Sequence, residues 1–139
     1  MNVLIVEDNG PEQVIMKEAF KEAGVGHDLY MVKDGIEALE FLNAKGDFHG
    51  APKPDLIILD LNMPRKNGLE VLIDIKNNPK WEHIPILIFS NSEFAKDICK
   101  CYSLGANAYL TKPVDFQGLI DLVHIIDEFW LKLVRYCAH

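Results

Sequence analysis

Apolar residues gather along the chain in five short runs, and between the runs they return at every third or fourth position. The runs at 3–6, 29–32, 56–59, 86–89 and 108–110 show no strict alternation with polar residues. They read as strands of a parallel sheet buried on both faces, with 29–32 the least marked. The spaced stretches read as helices at 14–23, 36–42, 69–75 and 94–104, with a last one from 115 to about 134. Each has its breaker. Gly24 and Gly26 end the first, and Gly46 lies near the end of the second. Asn77-Asn78-Pro79 stops the third, and Gly105 closes the fourth. The stretch 43–54 is long and polar with Gly and Pro, the composition of a surface loop.

Strand and helix therefore alternate five times. That order predicts an α/β fold, (βα)5, with a doubly wound five-stranded parallel sheet, helices on both faces and right-handed crossovers. A length of 139 residues suits one domain over 1–139. Nothing in the pattern follows the last helix, so no output domain is expected. An apolar fraction of 49% is enough to build one core at this size.

Charge and composition then exclude several classes. The net charge is -7 and no long Lys/Arg cluster is present, which argues against nucleic acid as a partner. No apolar run approaches the ~20 residues needed to span a bilayer. Met1-Asn2 leads straight into the first strand with no basic region and no cleavage site, so no signal peptide is read and a cytoplasmic location is expected. Cys99, Cys101 and Cys137 form an odd set that suits reduced thiols. The C-x-C pair has no second pair to complete a zinc site. His27, His49, His83, His124 and His139 have no ligand spacing either.

In open sheets of this kind, ligands bind beyond the carboxyl ends of the strands. Glu7 and Asp8 follow the first run, and Asp60 follows the third. Ser90 follows the fourth, and Thr111 and Lys112 follow the fifth. Taken singly, an Asp after a strand is a cap or turn residue and a Lys is a solvated surface group. Together they place three acids, a hydroxyl and a lysine on one edge. Three gathered carboxylates raise one another's pKa unless a cation joins them. A hard divalent ion such as Mg²⁺ relieves this. About -3 from the acids then meets about +3 from metal and lysine, a balance suited to receiving a phosphoryl group.

These residues carry a resemblance. Val6-Glu7-Asp8-Asn9, Asp60-Leu61-Asn62-Met63-Pro64 with Gly68, Ser90, and Tyr109-Leu110-Thr111-Lys112-Pro113 resemble the receiver domains of two-component response regulators, over essentially the full chain. The resemblance implies a flavodoxin-like, CheY-like strand order 2-1-3-4-5. It implies that Asp60 is the phosphoacceptor, fed by a phosphohistidine of a sensor histidine kinase. It makes Asp8, Asp60 and the backbone carbonyl of Asn62 ligands of Mg²⁺, with Mn²⁺ able to substitute and Glu7 acting through water. Ser90 and Lys112 would hold phosphoryl oxygens, Tyr109 would be the aromatic switch, and the Lys112–Pro113 bond would be cis. The signal would leave through the surface of the fourth helix, fifth strand and fifth helix, toward an unknown downstream effector.

One subgroup is more similar. The long loop before Asp55, Arg65-Lys66-Asn67-Gly68 and Asp127-Glu128-Phe129-Trp130 resemble stand-alone receivers paired with bacteriophytochrome kinases. Ser90 stands where Thr is commoner, and Asn91 where a small residue is common. Two other classes are weighed on the same residues. Hydrolases of the haloacid-dehalogenase type resemble D-x-D, but the second acid is Asn62 here and cannot transfer a proton. A calcium loop would begin at Asp60-x-Asn62, but Pro64 and Arg65 occupy a ligand position and the required Gly.

The last helix carries more apolar surface than one sheet face needs. On a wheel of ~100° per residue its apolar positions cover about 240°, interrupted mainly by Asp127, against somewhat over ~100° for a helix lying on a sheet. The excess predicts a homodimer through this helix, with Phe129 and Trp130 as anchors. Kinase docking is the other use of the same surface.

Overall fold

A computed structural model describes residues 1–61, 63 and 66–135. Strand β1 (Asn2–Val6) is followed by α1 (Gly10–Ala23), β2 (Asp28–Val32), α2 (Gly35–Leu42), β3 (Leu56–Leu59), α3 (Gly68–Lys76), β4 (Ile86–Ser90), α4 (Ala95–Ser103), β5 (Ala108–Thr111) and α5 (Phe116–Ile126). The five strands form one parallel sheet in the order β2-β1-β3-β4-β5. This is the expected (βα)5 architecture.

Side chains alternate across a strand, so each central strand feeds two layers. Leu4, Val6, Ile57, Leu59, Ile86 and Ile88 point to one face, where α2, α3 and α4 add Phe41, Leu72, Ile75 and Cys101. Val3, Ile5, Leu56, Ile58, Leu87 and Phe89 point to the other, where α1 and α5 add Met16, Phe20, Leu119 and Val123. Burial on both faces explains why these strands read as unbroken apolar runs. Trp81, just before β4, is buried in the first layer.

The helix ends follow capping chemistry. α1 begins four residues before the apolar periodicity does. Asn9 caps it by accepting from the Glu12 backbone N–H at 3.0 Å, and a proline opens the first turn. Gly24 ends it in the left-handed region at φ 66°. Asn67 and Glu70 form a reciprocal capping box on α3. The connection 43–54 is not wholly polar surface. Gly46–Phe48 forms a 3-10 turn, and Phe48 packs edge-on against Phe41 at 5.6 Å. No helix among the described residues is long and apolar enough to cross a membrane.

The last helix departs from the expected uniform one. It is α-helical only to Ile126 and continues as a π-helix over Asp127–Leu133, with Val134 N–H bonded to the Phe129 carbonyl at 2.9 Å. A π turn spreads more residues over each turn, so a wheel drawn at ~100° per residue misplaces every side chain after Ile126. Asp127 therefore does not interrupt an exposed apolar arc. It is buried and bonds His27 Nε2 at 2.7 Å and Lys132 Nζ at 3.1 Å. The amino group of Met1 lies 3.4 Å from the other ring nitrogen of His27. Trp130 is half-buried against the α1/α5 layer, while Ile125, Phe129 and Leu133 stay exposed.

Asp127 ties the C-terminal segment to the turn before β2. Burial pushes its carboxyl pKa up, but bonds from His27 and Lys132 outweigh that and hold it below the ordinary 3.8. A depressed carboxyl stabilises the fold above its unfolded pKa and loses that contribution as pH falls through the folded value. Asp127→Asn is therefore expected to lower stability at neutral pH by about 2 kcal/mol, the scale of a hydrogen bond to a charged group. Urea denaturation should show the deficit constant near neutral pH and shrinking as the pH drops below 3.8. A deficit that persists unchanged in acid would contradict the ion-pair assignment.

Candidate functional site

Parallel pairing in register builds the site. Val6 stands beside Leu59, so the residues that follow them, Glu7 and Asp60, emerge side by side. The Asp60 N–H donates to the Val6 carbonyl at 3.1 Å and fixes that step. Glu7 and Asp60 are buried, and Asp8 is exposed. Carboxylate oxygens of all three lie within 4.8 Å of one another. Gly68 closes the floor: a Cβ there would sit 2.3 Å from the Asp60 carbonyl oxygen, so no side chain fits.

The electrostatics are those of crowded acids. Burial is the largest influence on Glu7, joined by a hydrogen bond with Glu12 and the negative charge of Asp60. Lys112 opposes them, and the Glu7 pKa is still pushed up to about 9. Glu12 moves the other way, lowered by the same hydrogen bond against its own burial. Burial alone would lower Lys112, but its bond to Glu12 and the charges of Asp60 and Glu7 raise it, so it remains an ammonium ion. Its Nζ lies 3.0 Å from Glu12, 3.6 Å from Glu7 and 3.8 Å from Asp60.

Three hard oxygen donors with one open side fit a divalent cation that keeps several waters. Burial and the neighbouring acids together push the Glu7 pKa up, and such an ion would offset the part that comes from negative charge. Glu7, Asp8 and Asp60 are the residues placed to hold it. Asn62, expected to add its carbonyl, lies outside the described residues.

The end of β4 is also organised. Ser90 is buried, and its Oγ accepts the Ser92 N–H at 3.1 Å. Lys112 N–H donates to the Ser90 carbonyl at 2.9 Å, which ties β5 to β4 beside the acids. The Tyr109 hydroxyl donates to the Ser92 carbonyl at 2.9 Å, and the Ser92 hydroxyl donates to Asp97 on α4 at 2.5 Å. Thr111 is exposed at the end of β5. The Lys112–Pro113 bond is trans, not cis as expected. Trans is the conformer favoured by about 0.5–1 kcal/mol at such a bond.

Glu12 is the residue that the sequence reading missed. The signal was present: Asn9 followed three positions later by an acid, with Pro11 between, marks a helix start. A helix begun at 14 left Glu12 outside it. A cavity of about 360 Å³ opens beside the acids between α1 and α5, with Glu12 and Lys112 at its polar end and Ile15 and Phe116 on its apolar wall.

Comparison with known proteins agrees with this geometry. A family model described as the response regulator receiver domain matches residues 3–124. Response regulator Rcp1 of Synechocystis sp. is 38% identical over 136 residues, 98% of this chain and 92% of that protein. The Mn²⁺-bound form of Rcp1 superposes with a TM-score of 0.87 at 37% identity, covering 99% of both chains. The phosphorylated cyanobacterial phytochrome response regulator RcpA gives 0.90 at 38%, covering 99% of this chain and 98% of that one. The bacteriophytochrome response regulator AtBRR gives 0.77 at 32%, covering 96% and 97%.

The charge arrangement predicts opposite outcomes for two substitutions. Asp8→Ala removes an exposed oxygen donor and should abolish Mg²⁺ binding. Lys112→Ala removes a like charge and should leave Mg²⁺ affinity equal or higher. Titration calorimetry checks both, and loss of binding in Lys112→Ala would count against the argument.

Proposed function

Because the chain belongs to the response regulator receiver domain family, we propose that it is a two-component response regulator that accepts a phosphoryl group on Asp60 from a phosphohistidine of a sensor histidine kinase. The observation that carries this is the placement of Asp60. It is a buried carboxylate at the end of β3, grouped with Glu7 and Asp8 and faced by the Lys112 ammonium.

Phosphoryl transfer is mainly positioning and charge neutralisation. A carboxylate oxygen of Asp60 forms a bond to phosphorus. The phosphorus–nitrogen bond to the donor imidazole breaks, its electron pair stays on nitrogen, and the imidazole takes up a proton from water. Lys112 neutralises one phosphoryl oxygen, and the Ser90 hydroxyl donates to another. Asp8, Asp60 and the Asn62 carbonyl, with Glu7 through water, would hold Mg²⁺, or Mn²⁺ in its place, and the ion would supply the remaining positive charge. The product is a mixed anhydride that water hydrolyses, so the protein is a reversible phosphoacceptor rather than a turnover enzyme.

Readout runs through Ser90. Its hydroxyl holds the Ser92 N–H, and Ser92 in turn holds the Tyr109 hydroxyl and Asp97 of α4. Drawing Ser90 onto a phosphoryl oxygen shifts that chain and alters the α4-β5-α5 surface offered to a downstream effector. The likeness to RcpA and AtBRR supports a phytochrome-type kinase as the donor. Exposed Ile125, Phe129 and Leu133 support a homodimer through the last helix.

Acetyl phosphate with Mg²⁺ is expected to add one phosphoryl group to the wild type and none to Asp60→Asn, read by intact-protein mass. Undiminished labelling of the variant would overturn the assignment.

Sedimentation at micromolar concentration should show a dimer that Phe129→Ala with Leu133→Ala converts to monomer. A monomeric wild type, phosphorylated or not, would leave the surface to kinase docking.

A further inference from the structure

We infer that Glu12 is a positioning residue for Lys112: it holds the ammonium group off Asp60 until a phosphoryl group arrives, and so sets how readily Asp60 is phosphorylated. The inference rests on Asp60 being the phosphoacceptor. The observation is a difference of distances around one nitrogen. Lys112 Nζ donates to Glu12 Oε2 at 3.0 Å, while Glu7 Oε2 and Asp60 Oδ1 stand off at 3.6 and 3.8 Å. A hydrogen bond from nitrogen to oxygen falls within about 3.2 Å. The directed bond therefore goes to α1, and the two buried acids receive attraction without one. The Phe89 ring, 5.7 Å from Nζ to its centroid, lies against the same ammonium.

The partners are unequally dependent on each other. The Lys112 side chain is 12% exposed and the Glu12 side chain 41%. A lysine with little water must bond protein oxygens or a ligand. Glu12 keeps its water, and it sits in the first turn of α1, where the helix dipole favours negative charge. Releasing the lysine thus leaves Glu12 stabilised. A phosphoryl group on Asp60 brings oxygens of greater negative charge, and charge-assisted bonds to them are stronger.

An exchange follows. At rest Lys112 is bonded to Glu12. With Asp60 phosphorylated it is bonded to a phosphoryl oxygen, and Glu12 is left to water and to its interaction with Glu7. Breaking the Glu12 bond belongs to the approach to transfer, so it slows phosphorylation. With acetyl phosphate as donor, the bond from Asp60 to phosphorus forms and the bond from phosphorus to the acetate oxygen breaks. Acetate leaves with the electron pair, and Glu12 gives and takes no proton.

The test uses the full chain and Glu12→Gln, which keeps side-chain length and the backbone bond to Asn9. NMR of the Lys112 side chain, without metal or donor, reads the contact alone. Labelling by acetyl phosphate at saturating Mg²⁺ reads the consequence. The Lys112 signals should move, and labelling should run roughly two- to fivefold faster, the range for a part-exposed ion pair. Glu12→Asp should fall between. Unmoved Lys112 signals, or labelling equal to or slower than wild type, overturns the inference alone. A wild type that takes no phosphoryl group sinks the phosphoacceptor reading and the inference with it.

Discussion

Two acids of like charge stand buried and adjacent at the ends of β1 and β3, and the site is organised around making that tolerable. Glu7 and Asp60 are neighbours because Val6 and Leu59 are paired in register, and neither can retreat to water. Burial and crowding are met in two ways. Glu7 holds a proton that an ordinary carboxyl would release. Lys112 comes in from β5 and stays charged despite its burial. Both are substitutes for positive charge. A site that has to borrow a proton and a lysine is poised for a cation and for the oxygens a cation can neutralise.

The fold makes that crowding possible by spending its apolar residues elsewhere. The central strands deliver alternating side chains to two hydrophobic layers, so the sheet is packed on both faces up to its carboxyl edge. The acids begin where the apolar runs stop. Rigid strand ends hold charges at fixed separations that a loop would relax. On the β4 side the same edge carries Ser90, whose hydroxyl is the first link of a chain through Ser92 to Tyr109 and Asp97. The buried acids and this chain of hydrogen bonds thus share one boundary of the sheet.

The C-terminal segment obeys a different constraint. Asp127 would be costly to bury alone; it meets His27 from the turn before β2, and the π turn brings Lys132, five residues on, over it. That pairing, together with the half-burial of Trp130, docks the segment on its own domain and leaves Ile125, Phe129 and Leu133 outward.

The (βα)5 order, the five strand positions and the acids that end them are written in the local pattern of the chain. Unbroken apolar runs bounded by Gly and Pro leave little choice of element, and in a parallel sheet the residue after each run must lie at the carboxyl edge. Contacts between distant positions are not written there. Lys112 could be placed at the edge, but its choice of Glu12, 100 positions away, depends on where α1 packs. The last helix misled because a wheel assumes one angular step, and the π turn after Ile126 changes it. His27 looked isolated until Asp127 was folded onto it. Local pattern reports what each residue prefers. Only tertiary structure decides which charged groups meet, because that depends on packing between elements the chain keeps far apart.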